Sequence, residues 1–270
     1  MSVDLEDYFC DLPFSEWSQY PDRIIDTTQV LLDLFDKHHV KATFFVLGYL
    51  ADKFPDLIKS IHEKGHELAS HSYSHPDLRK ITKNEFEIDF LKSLKSIEKV
   101  TGEKVLGFRA PYFSINHKNS WVFDILRKHI VYDSSVFPVK TSLYGLPSAP
   151  RDIYHPDVND VTKKDETQTF IEVPPSTYRI FSHYNLPISG GFYFRFFPYF
   201  FLKKGFKKLN KEKKPIMFYI HPKDLDADMP KIDSYSWHFY YGKRNVIQKF
   251  EKLLKNFKFE TAKNVLGLTS

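Results

Sequence analysis

Lys41-Ala42-Thr43-Phe44-Phe45-Val46-Leu47-Gly48 is the stretch that decides the fold. It is a short apolar run, rich in β-formers, and it stops at a glycine. Such a run reads as a strand buried on both faces. Upstream, Asp26 to His39 carries Val30, Leu31, Leu34 and Phe35 at helical spacing, with Asp26 or Thr27 placed to cap it. Downstream, Leu50 to Lys64 has a helical period, with Pro55 tolerated where the helix proper begins, and Gly65 ends it. His66 to Ser70 is the next strand, and residues 1–5 read as the first.

The order then repeats. Asn84 to Val100 places Phe86, Phe90, Leu94 and Ile97 on one helical face and ends at Gly102. Lys104 to Phe108 is a strand, Asn119 to His129 a helix, and Ile130 to Tyr132 a strand. Alternating strands and helices predict an α/β fold with a mostly parallel sheet, open or closed into a barrel. In either case the working site lies beyond the C-terminal ends of the strands. The second half is less regular. Pro138 to Asp165 reads as a long loop, Phe170 to Val173 as a strand and Ser189-Gly190-Gly191 as a turn. Ile216 to Ile220 is a strand ending at His221-Pro222, Val246 to Leu254 a helix, Phe257 to Glu260 a short strand, and a last short helix runs to Leu266. No repeat or low-complexity linker interrupts the chain. The expectation is one domain over 1–270 with a loop-rich insertion.

Composition narrows the function. The 270 residues are ample for a buried core, and 42% hydrophobic residues argue against wholesale disorder. A surplus of 5 basic over acidic residues is too small for a dedicated nucleic-acid binder. The single cysteine, Cys10, excludes an internal disulfide framework. Acids in Met1-Ser2-Val3-Asp4-Leu5-Glu6-Asp7 stand where a signal peptide needs basic and apolar regions. The sequence contains no apolar run long enough to span a membrane. A cytosolic enzyme is the simplest expectation. Aromatics reach 17%, with 26 Phe and 16 Tyr, which suits a dense core or a groove that stacks on sugar rings or bases.

Several polar groups sit at expected strand ends. His71 and His75 are four apart, the spacing of one helical turn, and two imidazoles on one side make half of a divalent metal site. In a chain with 12 histidines such a pair also arises by accident. Asp4 and Glu6 share a face at period 2, and a carboxylate in a buried strand is costly unless paired or metal-bound. The bland reading is a solvated terminus. Arg109 follows a strand and precedes Pro111, so it is either a surface arginine or a guanidinium that keeps a carboxylate ionised. His221 ends a strand and has the intrinsic pKa of an acid catalyst.

These residues form a familiar set. Val3-Asp4-Leu5-Glu6-Asp7-Tyr8-Phe9, Ala42 to Gly48, Gly65 to His75 and Gly107-Phe108-Arg109-Ala110-Pro111-Tyr112-Phe113 resemble the motifs of NodB-homology polysaccharide deacetylases, the carbohydrate esterases of family 4. Tyr132 to Pro138, Ile188 to Arg195 and Tyr219 to Asp226 resemble an exopolysaccharide-cluster subgroup with its own C-terminal extension. The resemblance implies a distorted (β/α) barrel, with a NodB-like core over about 1–140 plus 215–225 and the extension within 140–270. It implies a divalent metal, usually zinc, held by His71, His75 and an acid. Asp4 is then the base, Arg109 the arginine that pairs with it, His221 the general acid, and the Tyr112 backbone N–H an oxyanion donor. Asp133 supports the site without a defined role. The family usually carries two adjacent aspartates in the first motif, whereas this chain reads Asp-Leu-Glu-Asp. Glu6 is the favoured third ligand and Asp7 the rival.

The implied activity is metal-dependent removal of N-acetyl groups from an N-acetylhexosamine polysaccharide or its lipid-linked precursor. Two alternatives stand beside it: a metal-independent hydrolase of a small cyclic amide on the same fold, and a non-catalytic carbohydrate binder. The intact His71 and His75 argue against the first, and intact Asp4, Arg109 and His221 against the second. Phe196 to Lys214 is aromatic, then lysine-rich. It reads as an ordinary helix with solvated lysines, or as a weak membrane-surface patch at the inner face.

Overall fold

The computed structural model describes residues 1–180 and 184–268. In chain order the elements begin with β1 (Ser2–Leu5), α1 (Ile24–His38), β2 (Thr43–Val46), α2 (Gly48–Lys53), α3 (Pro55–Glu63) and β3 (Glu67–Ser70). Next come α4 (Lys83–Thr101), β4 (Gly107–Phe108), α5 (Val122–His129), β5 (Tyr132–Asp133) and β6 (Ile171–Glu172). A hairpin of β7 (Thr177–Ile180) and β8 (Tyr184–Pro187) follows, then α6 (Gly191–Phe196), α7 (Tyr199–Lys211), β9 (Tyr219–Ile220), α8 (Val246–Asn256) and α9 (Ala262–Val265). Seven strands make one sheet in the order β6-β5-β4-β3-β2-β1-β9. The pairs β1–β9, β3–β4, β4–β5 and β5–β6 run parallel. The fold is therefore α/β with a parallel sheet, as the alternating pattern predicts.

By its internal contacts the chain divides into two compact units, interleaved along the sequence. One comprises Met1–Phe44, Gly65–Glu67 and Ile188–Ser270. Its core is aromatic: Phe218 and Phe250 stack at 6.3 Å between centroids, and Phe194 and Phe35 meet Phe250 at 6.1 Å each. Truncating one such ring to alanine costs about 3–5 kcal/mol. The other unit comprises Phe45–Lys64 and Leu68–Pro187. Its longest helix, α4, starts at a capping box in which the Thr82 hydroxyl accepts from the Glu85 N–H and Glu85 reaches back to the Thr82 N–H. Helices α2 and α4 approach so closely that a Cβ at Gly48 would lie 2.6 Å from the Ser93 Cα.

Some local expectations are corrected. The helix expected over 50–64 is two helices, broken at Phe54, whose φ of −130° is not helical. The strand expected over 104–108 pairs only at Gly107–Phe108. Phe257 to Glu260 forms no strand. Among the described residues, no helix is long and apolar enough to cross a membrane.

Candidate functional site

The polar groups singled out in the sequence all stand in or just past the ends of sheet strands. Asp4 lies within β1 and Glu6 just beyond it. His71 follows β3, Arg109 follows β4, and His221 follows β9. Asp133 and Glu172 are the last residues of β5 and β6.

In the unit that holds β1 and β9, His221 is the hub. Its Nε2 lies 3.1 Å from Glu6 Oε1 and 3.7 Å from Asp4 Oδ2, so both acids reach one imidazole, as a shared strand face requires. Its Nδ1 meets Asp224 Oδ2 at 2.7 Å, and its backbone N–H donates to the same oxygen at 3.0 Å. Burial works against the imidazolium, but Asp224 and Glu6 outweigh it and raise the pKa. Asp224 is also gripped by Arg195, whose Nε donates to Oδ1 at 2.9 Å. Burial opposes the Asp224 carboxylate, yet His221 and Arg195 hold its pKa well below the usual range. Lys223 bridges Asp11 at 2.5 Å and Glu6 at 3.2 Å. Burial disfavours its charge, and these two acids more than compensate.

Of the two rival acids, Asp7 is held by backbone donors. Asp7 accepts from the backbone N–H of Tyr8 (2.7 Å), Arg23 (2.8 Å) and Ile24 (2.9 Å). Both its oxygens are committed to its own loop and the start of α1, the anion-friendly end of a helix. Burial raises its pKa, and these donors pull it back.

In the other unit, His71 and His75 lie in a loop and not on the helical turn suggested by their spacing. Their rings still meet, with centroids 5.2 Å apart. Left-handed backbone at Ser72 (φ 68°) and His75 (φ 56°) turns the chain so that they do. Asp89 of α4 locks this loop, accepting from the N–H of Tyr73 (2.7 Å) and Ser74 (3.0 Å) and from the Ser74 hydroxyl (2.5 Å). Tyr112 and Phe113 are left-handed as well, at φ 57° and 47°. Strain of this kind in non-glycine residues gathers at working loops. The Tyr112 ring packs on His75 with centroids 4.5 Å apart.

Arg109 is fully buried. Its Nη2 donates to the Ser134 hydroxyl at 2.8 Å, and its guanidinium lies 4.1 Å from the centre of the Phe45 ring. It is no surface arginine. Beside it, Asp133 and Glu172 lie opposite one another on β5 and β6. Burial, then the neighbouring Asp133 charge, pushes the Glu172 pKa far up. Sequence reasoning missed Glu172, Asp89, Asp224 and Arg195.

Glu6, His71 and His75 are all buried. The donor set is two imidazoles and a carboxylate, which suits a divalent first-row ion. The His71 Nδ1–H donates to the Arg109 carbonyl at 2.7 Å. That outer hydrogen bond is the kind that orients a metal-ligating imidazole, so the residues fit such an ion.

Residues 19–127 match the family described as polysaccharide deacetylase, and residues 134–267 match a domain of unknown function, DUF3473. A peptidoglycan-N-acetylglucosamine deacetylase of Bacillus cereus is 37% identical over 91 residues, covering 34% of this chain and 33% of that one. A chitin deacetylase of Arthroderma benhamiae is 35% identical over 118 residues, covering 42% and 31%. The chain thus spans about a third of the length of these relatives. A Mycobacterium smegmatis protein assigned to the polysaccharide deacetylases shares the fold at 18% identity, with a TM-score of 0.61 over 99% of this chain and 88% of that one. The Puue allantoinase shares it at 17% identity, with a TM-score of 0.57 over 88% and 70%. Residues 19–127 thus carry the polysaccharide-deacetylase match and residues 134–267 the DUF3473 match, on a fold shared with a solved protein assigned to that group.

Proposed function

We propose that this protein is a metal-dependent N-deacetylase acting on N-acetylhexosamine units of a polysaccharide or its lipid-linked precursor. The observation that carries the reading is the buried pair of imidazoles His71 and His75, whose rings meet at 5.2 Å between centroids. Relatives named as peptidoglycan and chitin deacetylases support the substrate class.

Glu6, His71 and His75 would hold the ion, with zinc the best fit to the donors. Such an ion supplies a Lewis acid for the acetamide carbonyl and lowers the pKa of a bound water. Asp4 takes the proton of the attacking water, and Arg109 is the arginine that the family resemblance assigns to that base. The Tyr112 backbone N–H donates to the carbonyl oxygen as it gains charge. A C–O bond forms and the C–N bond breaks. The amine leaves only when protonated, and His221 supplies that proton. Asp224 and Glu6 raise the pKa of His221, which favours its proton-donating form, and Asp224 fixes its ring. The products are acetate and a hexosamine.

The test is acetate release from acetylated chito-oligosaccharides and from peptidoglycan, before and after chelation and zinc reloading. Asp4→Ala should abolish turnover and retain the metal. Wild-type protein that releases no acetate from either glycan in any metal state would sink the reading.

A further inference from the structure

The aromatic surplus has a definite place in the unit that carries His221. Phe192 and Phe196 lie on α6, and Trp237 and Tyr241 on a later segment. Their rings form a continuous set. Phe192 meets Trp237 at 5.6 Å between centroids, Trp237 meets Tyr241 at 5.6 Å, and Tyr241 meets Phe196 at 5.8 Å. This is not core: Trp237 is 63% exposed, Phe196 46% and Tyr241 45%. Contiguous exposed rings mark a binding surface.

Arg195, buried on the same helix, fixes the patch from beneath. Its Nη1 donates to the backbone carbonyls of His238, at 3.1 Å, and of Tyr241. Its Nε holds Asp224, which holds His221. One guanidinium therefore ties the aromatic segment to the general acid. Gly242 lets the backbone pass at φ 77°, and a Cβ there would lie 3.0 Å from the Arg195 Cβ.

We infer that Phe192, Phe196, Trp237 and Tyr241 form a stacking subsite for a pyranose ring of the glycan, held by Arg195 in fixed relation to His221. The identity of the glycan rests on the deacetylase reading. A pyranose presents a C–H face and a hydroxyl rim. The ring faces match the first, and the Tyr241 hydroxyl and the hydrogen-bonded Ser236 and His238 (2.6 Å) match the second. Those polar atoms among the rings favour a sugar over a lipid surface. The subsite takes a neighbour of the sugar that loses its acetyl group, so its effect grows with chain length.

The test uses the full chain and chitin oligomers of two and six sugars. Trp237→Ala should raise KM for the longer oligomer about tenfold, the worth of one aromatic stack. The KM for the dimer and the kcat on the longer oligomer should change far less. The longer oligomer should also quench the fluorescence of Trp237, and Trp237→Phe should lose that quench while keeping KM. Equal KM effects at both lengths, or none, overturn the subsite. So does binding to anionic vesicles that Trp237→Ala removes while glycan KM is unmoved. If wild type turns over no glycan, the deacetylase reading fails and the quench still decides: its presence supports the subsite and its absence overturns it.

Discussion

The Nδ1–H of His71 donates to the backbone carbonyl of Arg109 at 2.7 Å. A carbonyl only accepts, so the proton is on Nδ1 and the Nε2 lone pair is the one a metal meets. The same strand pair fixes both partners, because the Arg109 N–H donates to the Ser70 carbonyl at 2.9 Å in the β3–β4 ladder. The tautomer is thus written into the sheet and not into a side chain.

From this follows a contrast between two substitutions. His71→Ala should weaken zinc binding more than about 100-fold, beyond the usual cost of losing an outer hydrogen bond. Arg109→Lys should leave zinc stoichiometry near that of the parent, since the carbonyl remains. Plasma emission analysis and competition with a chromogenic chelator would measure both. Equal losses in the two variants would contradict the backbone role.

A second contrast separates Glu6 from Asp7. Glu6→Gln should abolish stoichiometric zinc and, because it removes a charge partner of Lys223 and His221, also lower the unfolding midpoint of the metal-free protein. Asp7→Ala should keep zinc and lose about 1–3 kcal/mol of stability, because three backbone donors, two of them buried, lose their acceptor. Metal content and urea denaturation, run side by side, check the pair.

What the sequence made legible was what local pattern controls. The run Thr43 to Val46 is a fully buried strand, and its apolar continuity said so. Phe86, Phe90, Leu94 and Ile97 are buried on α4, and their spacing said so. Asp4, Glu6 and His221 converge because strand ends in a parallel sheet share one edge. Asp224 and Arg195 fall inside the quoted motif stretches, but no local pattern signalled that they pair. They are 29 residues apart, and only packing makes them partners. Glu172 was hidden inside a short apolar strand, and its meaning comes from Asp133 on the neighbouring strand. The β7–β8 hairpin escaped notice because β8 ends in Pro187, which argues against a strand. The His71 to His75 spacing suggested a helical turn, but left-handed Ser72 gave the same convergence by another route.

Gly190 offers a test of how tightly the acid catalyst's strand is held. Its φ is 144°, and a Cβ would sit 1.7 Å from the Tyr219 carbonyl oxygen. Tyr219 opens β9, which ends at Ile220 directly before His221. No side chain fits without moving β9. Gly190→Ala should cost more than about 2 kcal/mol and lower the yield of folded protein. A thermal midpoint within a degree of the parent would show that β9 can yield.

The Arg195–Asp224 pair makes stability depend on pH in a direction that can be worked out. The folded Asp224 carboxyl lies below its ordinary value of 3.8. A depressed carboxyl contributes stability above the unfolded pKa and loses it as pH falls through the folded one. His221 runs the other way. Its raised pKa contributes stability that is fully present below its ordinary 6.5 and fades as pH rises through the folded value. Below about pH 5 His221 is charged in both states and drops out of the comparison. Asp224→Asn keeps an acceptor for the His221 ring but leaves the buried Arg195 charge without its partner, a loss of about 3–5 kcal/mol. Urea unfolding from pH 5 down to pH 3 should therefore show the gap between parent and variant shrinking as the solution is acidified. The other carboxylates are common to both proteins and cancel in that difference. A gap that stays constant over this range would mean that Arg195 and His221 do not hold Asp224 ionised.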